Sequence, residues 1–159
     1  MTIYQSLKND HDNVEELLQK LRNAQGAGAE EGTFQKMKME LIIHSKAEEK
    51  VFYSALRNHS EARDLVQHAK TEHKKVEDLL QEMSSLDPMG ADFQTRLEEL
   101  RSAVQDHVEE EEGEMFNLAR KLITDDEARR LDEAFQEEKR NLQRDLPEGS
   151  GAQSQRRRA

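Results

Sequence analysis

Four histidines in this chain lie on apolar helical stripes, and each is followed four residues later by a glutamate. The sets are His11 with Glu15, His44 with Glu48, His73 with Glu77, and His107 with Glu111. His11 and His44 are 33 residues apart, and His73 and His107 are 34 apart, so a shift of 62 or 63 residues carries one pair onto the other. Two antiparallel helical hairpins related in this way bring four imidazoles to one level inside a bundle. Such a layer is suited to holding two metal ions.

The surrounding residues support a duplication. DHDNVEELLQKL (10–21) aligns with EHKKVEDLLQEM (72–83), and HSKAEEKVFY (44–53) with HVEEEEGEMF (107–116). In the second pair, glutamates follow the histidine at plus four and plus five, and an aromatic follows at plus nine. A period near 62 is too long for a solenoid repeat. It suits one hairpin copied once, which gives an all-α, up-down four-helix bundle.

Length and composition agree with this. At 159 residues the chain is one domain in size, with 34% hydrophobic and 36% charged residues, so the core must be narrow. Long helices burying a single stripe satisfy that balance. The net charge of −10 argues against nucleic acid, because phosphate binding needs a basic face. No apolar run approaches the roughly 20 residues that span a bilayer. The opening MTIYQSLKND has no apolar signal segment, so a cytoplasmic location is expected. With no cysteine, disulfides, Cys-ligated zinc and iron–sulfur clusters drop out.

Periodicity places helix 1 at about 3–24, with Leu7, His11, Val14, Leu18 and Leu21 inward, and a break at GAGAEEG (26–32). Helix 2 is expected over 34–57, with Met37, Leu41, His44, Glu48, Val51 and Ala55 inward. Helix 3 covers 61–84 on Leu65, Ala69, His73, Val76, Leu80 and Met83. Helix 4 covers 92–121 through Leu97, Leu100, Val104, His107, Glu111 and Leu118. Thr124 and Glu127 form a capping-box pattern that opens a short fifth helix over 125–145. Residues 1–146 thus form the bundle with its appended helix. PEGSGAQSQRRRA (147–159) reads as a disordered tail.

A residue and its fourth successor share one helix face, so HxxxE presents two ligands side by side. Each of these histidines falls where an unpaired imidazole is costly to desolvate, and a metal offsets that cost for several groups at once. Glu48 and Glu111 lie on the stripes, whereas Glu15 and Glu77 fall beside them. The candidate metal ligands are therefore His11, His44, Glu48, His73, His107 and Glu111. Glu15 and Glu77 are expected to be solvated, with supplementary ligation as the alternative. Six ligands over two metals leave three each, with positions open for a small molecule. Imidazole with carboxylate suits iron or manganese, and ligand type alone leaves zinc open. No Glu-x-x-His motif of the ferritin-like di-iron proteins is present.

With IYQSLKNDHDNVEELL, HSKAEEKVFY, EHKKVEDLL and HVEEEEGEMF in place, residues 1–122 resemble the hemerythrin-like HHE cation-binding domain family. The resemblance implies an up-down four-helix bundle around a non-haem di-iron centre with an oxo or hydroxo bridge, reacting with dioxygen. It implies metal binding by His11, His44, His73 and His107, and by the HxxxE carboxylates Glu48 and Glu111. The chain departs from the respiratory oxygen carriers of that family. Their fifth histidine, four residues from the other histidine on helix 3, is absent, because those positions are Ala69 and Glu77. Their helix 4 carboxylate is an aspartate at plus five, where this chain has Glu112, so the ligand there stays open between Glu111 and Glu112. These departures tell against simple reversible oxygen carriage.

Three metal-dependent functions stand beside the alternative of a metal-free structural bundle. The centre could bind, store or sense dioxygen or nitric oxide, in an apolar pocket lined by Val14, Leu18, Val51, Val76, Leu80 and Met115. It could be a redox enzyme that breaks down peroxide or reduces oxygen or nitric oxide, with Glu15 and Glu77 supplying protons. It could also be an iron sensor or buffer whose metal occupancy controls folding. Tyr53 and Phe116 are expected to pack the bundle, with redox activity open for Tyr53 and Tyr4. His59 and His68 are expected at the surface.

Overall fold

A computed structural model describes residues 1–24 and 30–146. Five helices follow one another: α1 (Ile3–Ala24), α2 (30–57), α3 (Arg63–Ser84), α4 (91–122) and α5 (Asp125–Asp145). The described residues contain no strand. In the first four helices each packs against its chain neighbour, and α1 closes against α4, giving the up-down bundle. α5 lies across α1 and α2. Its start is fixed by the expected capping box. Thr124 Oγ1 accepts from the Glu127 backbone N–H, and the Thr124 backbone N–H donates to Glu127 Oε1 at 2.8 Å. The expected disordered tail lies outside the described residues, as does most of the break at 26–32. α2 begins at Glu30, earlier than the stripe pattern suggested.

α2 and α4 are not uniform helices. α2 runs as α-helix over Glu30–Glu48, as π-helix over Glu49–Tyr53, and as α-helix again over Ser54–Arg57. α4 does the same with Ala91–Glu110, Glu111–Met115 and Phe116–Leu122. The two π turns occupy equivalent places in the duplicated halves. A π turn inserts one residue, so everything after it rotates relative to an unbroken α-helix. This corrects three expected core positions. Val51 and Ala55 are half-buried, and the inward residues are Phe52, Tyr53 and Leu56. On α4 the inward residues are Met115, Phe116 and Ala119, while Leu118 moves to the flank.

The apolar core is in two parts. One contains Ile3, Leu7, Phe52, Leu56, Phe116 and Phe135, and the other Val14, Leu18, Met37, Leu80, Leu97 and Leu100. The buried polar residues His11, His44, Glu48, His73, His107 and Glu111 belong to neither. The residues expected to line an apolar pocket, Val14, Leu18, Val76, Leu80, Val51 and Met115, are divided between the two clusters. The first four belong to one apolar cluster, and Val51 and Met115 to the other.

Candidate metal centre

The six expected ligands all converge. His11, His44 and Glu111 place one donor atom each within 4.8 Å of one another, and Glu48, His73 and His107 do the same. The 62–63 residue shift interchanges the two groups: His11 and His44 map onto His73 and His107, and Glu48 onto Glu111. Across them His11 Nε2 is 3.1 Å from Glu111 Oε1, and His44 Nε2 is 3.4 Å from Glu48 Oε1. His73 Nε2 is 3.2 Å from both Glu48 Oε1 and His107 Nε2. Donors around a cation at the usual 2.0–2.2 Å stand roughly 3 Å apart, so these spacings fit a metal.

Unpaired atoms test the fit further. Among the described residues, the buried side-chain atoms lacking a hydrogen-bond partner are His11 Nε2, His44 Nε2, both Glu48 oxygens, Glu111 Oε1, Tyr4 Oη and Arg101 Nε. All but the last two belong to the two groups. Buried polar atoms are ordinarily satisfied, at a cost of about 1–3 kcal/mol each when they are not. Their concentration in one layer is what a site built for cations would show.

Each imidazole is aimed by its other nitrogen. His11 Nδ1 pairs with Glu112 Oε2 at 2.7 Å, and His44 Nδ1 with Asp10 Oδ2 at 2.8 Å. His73 Nδ1 pairs with Glu49 Oε2, and His107 Nδ1 with Glu72 Oε1, both at 2.7 Å. Every bond crosses to the preceding helix of the bundle, so the ring α4–α1–α2–α3–α4 is closed by four of them. A carboxylate on Nδ1 fixes the tautomer and leaves Nε2 pointing inward for a cation.

Sequence reasoning missed Asp10, Glu49 and Glu72, and considered Glu112 only as a possible metal ligand. Glu112 holds His11 Nδ1, while Glu111 faces the cluster. A signal existed, because acidic residues precede His11 and His73 and follow Glu48 and Glu111 in both halves. Glu15 is half-buried and bonded by Gln19, and Glu77 is exposed; neither joins a cluster. His68 is exposed, as expected.

Tyr53 has more than a packing role. Its hydroxyl donates to Glu111 Oε2 at 2.7 Å and lies 3.5 Å from His73 Nε2. Its ring stacks on His73 at 5.4 Å between centroids. Phe116, its counterpart in the other half, has no such group and packs against Tyr4 and Phe52. α5 also reaches the layer. Lys139 Nζ donates to Asp10 at 2.7 and 2.9 Å, and the Phe135 ring meets His44 edge-on.

The electrostatics follow from this packing. Burial disfavours the charge on His11, but its contacts with Glu111 and Glu112 outweigh burial and lift its pKa to about 10. His73 reaches about 10 in the same way, through Glu48 and Glu49. Burial pushes Glu111 up, reinforced by the facing Glu48 carboxylate. Glu48 is held well below its usual value despite burial, by Glu111, His44 and His73. Burial and the charges on Glu111 and Glu48 raise the Tyr53 hydroxyl well above its usual value. Without a metal, protons perform the neutralisation that a cation would supply.

The model of the hemerythrin HHE cation-binding domain family matches residues 2–119. The chain belongs to this family. A hemerythrin HHE cation-binding domain-containing protein from Mycobacterium kansasii has the same fold, with a TM-score of 0.81 and 23% identity over 99% of this chain and 94% of that one. An uncharacterized hemerythrin-like protein of Schizosaccharomyces pombe is 26% identical over 64% of this chain. A DNA nickase of Nostoc sp. is 25% identical over 92% of it. This HHE domain chain spans only 51% and 41%, respectively, of those two relatives.

Proposed function

We propose that this HHE protein is a non-haem di-iron protein that binds or reacts with dioxygen or a related small oxidant. One iron would be held by His11, His44 and Glu111, and the other by Glu48, His73 and His107. The observation that carries this is the convergence of imidazole and carboxylate side chains in two buried groups of three, with five of their atoms lacking a hydrogen-bond partner. Iron bound there supplies redox chemistry and open coordination positions for a small ligand. The chain's own contribution is orientation and exclusion of water. Asp10, Glu49, Glu72 and Glu112 fix the imidazole rings, and apolar layers on both sides keep the site dry.

Manganese or zinc is a lesser alternative on donor type. Nucleic acid is not among the partners we propose, because a net charge of −10 opposes phosphate contacts. A cytoplasmic location is part of the proposal. Among the described residues no helix is long and apolar enough to cross a membrane.

The experiment is the optical spectrum of anaerobic ferrous protein as oxygen is admitted and then purged. A charge-transfer band that comes with oxygen and leaves on purging supports binding, storage or sensing. An irreversible change to a resting ferric spectrum supports redox turnover. No spectral response to oxygen would sink the proposal.

A redox enzyme is the second reading, and two observations favour it. The Tyr53 hydroxyl donates a hydrogen bond to Glu111 Oε2 inside the buried layer and stands beside His73 Nε2, a polar group available to an oxygen species bound there. A pocket of about 240 Å³ between α2 and α3 also reaches His73, past Leu41, Val76, Leu80, Lys70 and Glu77. That volume is large for a diatomic and accommodates a peroxide with an organic substituent. Hydrogen peroxide and organic hydroperoxide consumption by the iron-loaded protein, with Tyr53→Phe as the comparison, separates this reading from simple binding.

A further inference from the structure

The pocket of about 240 Å³ between α2 and α3 has two unlike ends. Antiparallel packing sets Leu41 and Ile42 of α2 beside Val76 and Leu80 of α3, and all four belong to or pack on one apolar cluster. Leu80 stands seven residues beyond His73, which is roughly 10 Å along the helix. The other end is level with the buried metal layer. There His73 and Glu49 line the wall beside Lys46, Lys70 and Lys74.

Three lysines at one opening are unexpected in a chain of net charge −10. Lys74 is engaged, holding Asp78 at 2.6 Å. Among the described residues Lys46 and Lys70 enter no ion pair, and Lys70 is half-buried. Glu49 is occupied too, since its Oε2 holds His73 Nδ1. The internal repeat shows that the bundle does not require this charge. The equivalent seam lies between α4 and α1, where Leu41, Val76 and Leu80 stay apolar as Val104, Val14 and Leu18. Lys46 becomes Glu109 there, and Lys74 becomes Asp12. The one lysine retained, Lys8 in place of Lys70, lies 3.6 Å from Asp12. A cationic mouth on an apolar cleft is thus a property of one seam alone.

We propose that this pocket binds a short-chain organic carboxylate, its head group on Lys46 and Lys70 and its chain along Leu41, Ile42, Val76 and Leu80. An apolar wall with a few placed polar groups is the ordinary make-up of a small-molecule site. The ammonium groups act as point charges for an anion, and their methylene stems extend the apolar wall. Two unengaged lysines, with the exposed Glu77 also on the lining, suit a single negative charge. The volume is below the roughly 300–1,000 Å³ of sites for drug-sized ligands, so the chain is short. A head group held there stands beside His73. Binding rests on the pocket itself; that the molecule is the organic partner of the buried layer rests on the di-iron reading.

The test is isothermal titration of metal-free full-length protein with hexanoate, with 1-hexanol and acetate as comparisons. Hexanoate is expected to bind once per chain, more tightly than 1-hexanol, which lacks the charge, and acetate, which lacks the chain. Lys46→Gln and Lys70→Gln are each expected to weaken hexanoate several-fold and leave 1-hexanol unchanged. Lys8→Gln, at the opposite seam, should alter neither. Equal affinity for hexanoate and 1-hexanol, or lysine variants that match the wild type, overturns the site. In the iron-loaded protein, saturating hexanoate should shift the ferric charge-transfer band of the wild type, and the same concentration should shift that of Lys70→Gln less. An unmoved band overturns the partnership with the layer and leaves the binding site standing. A chain that binds hexanoate in this pattern yet takes up no iron would instead refute the di-iron reading.

Discussion

At the residue scale, the layer is organised by carboxylates of two kinds, and substitution should distinguish them. Glu48 and Glu111 face inward with unpaired oxygens, whereas Asp10, Glu49, Glu72 and Glu112 grip Nδ1 atoms. Replacing His44 by Ala removes a donor and should cost one metal equivalent per chain by elemental analysis. Replacing Asp10 by Asn leaves every donor in place but loosens His44, so metal should still bind, with affinity about 10–100-fold weaker. Competition with a chelator reads that difference; equal affinity would show that the outer carboxylates are passive. Tyr53→Phe removes the donor to a buried carboxylate oxygen and should destabilise the metal-free protein by about 1–3 kcal/mol in urea unfolding.

At the scale of elements, the paired π turns and α5 decide how the layer is framed. The π turn after Glu48 brings Phe52 and Tyr53 inward together, which is how Tyr53 reaches Glu111. Gly113 sits in the matching turn of α4, and a Cβ there would meet nothing within 4 Å. Gly113→Ala should therefore raise stability by about 0.4–1 kcal/mol through the unfolded chain's lost freedom, seen as a higher Tm. A lower Tm would mean that the π turn itself needs glycine. Phe135 is fully buried where α5 meets α2 and His44. Phe135→Ala should cost about 3–5 kcal/mol, measured by chemical unfolding.

At the scale of the whole molecule, stability should depend on pH in opposite senses with and without metal. His11 and His73 have folded pKa values of about 10, above the 6.5 of a free imidazole. Their contribution to the metal-free fold is fully present below pH 6.5 and is lost as pH rises through about 10. Metal ligation needs the neutral rings, so binding releases protons and strengthens as pH rises. The gap in Tm between metal-loaded and metal-free protein should widen between about pH 6.5 and 9. A gap that narrows over this range contradicts the assignment of these histidines as ligands.

The sequence by itself determined the helices, the duplication and the six inward-facing residues, because apolar periodicity and a repeated HxxxE pattern are local properties. The stripe Leu7, His11, Val14, Leu18 and Leu21 is buried as the spacing required, and the Thr124 capping box forms as written. Tertiary structure decided what periodicity cannot encode. The π turns shift Val51 and Leu118 off the core, since an α-helical period assumes no inserted residue. The ring of Nδ1 contacts joins residues up to 101 apart in the chain, and only bundle packing brings Glu112 to His11. Among the described residues, α5 covers one half of a nearly symmetric layer and no helix covers the other. That asymmetry comes from where a fifth amphipathic helix finds apolar surface to bury, which the repeat alone does not specify.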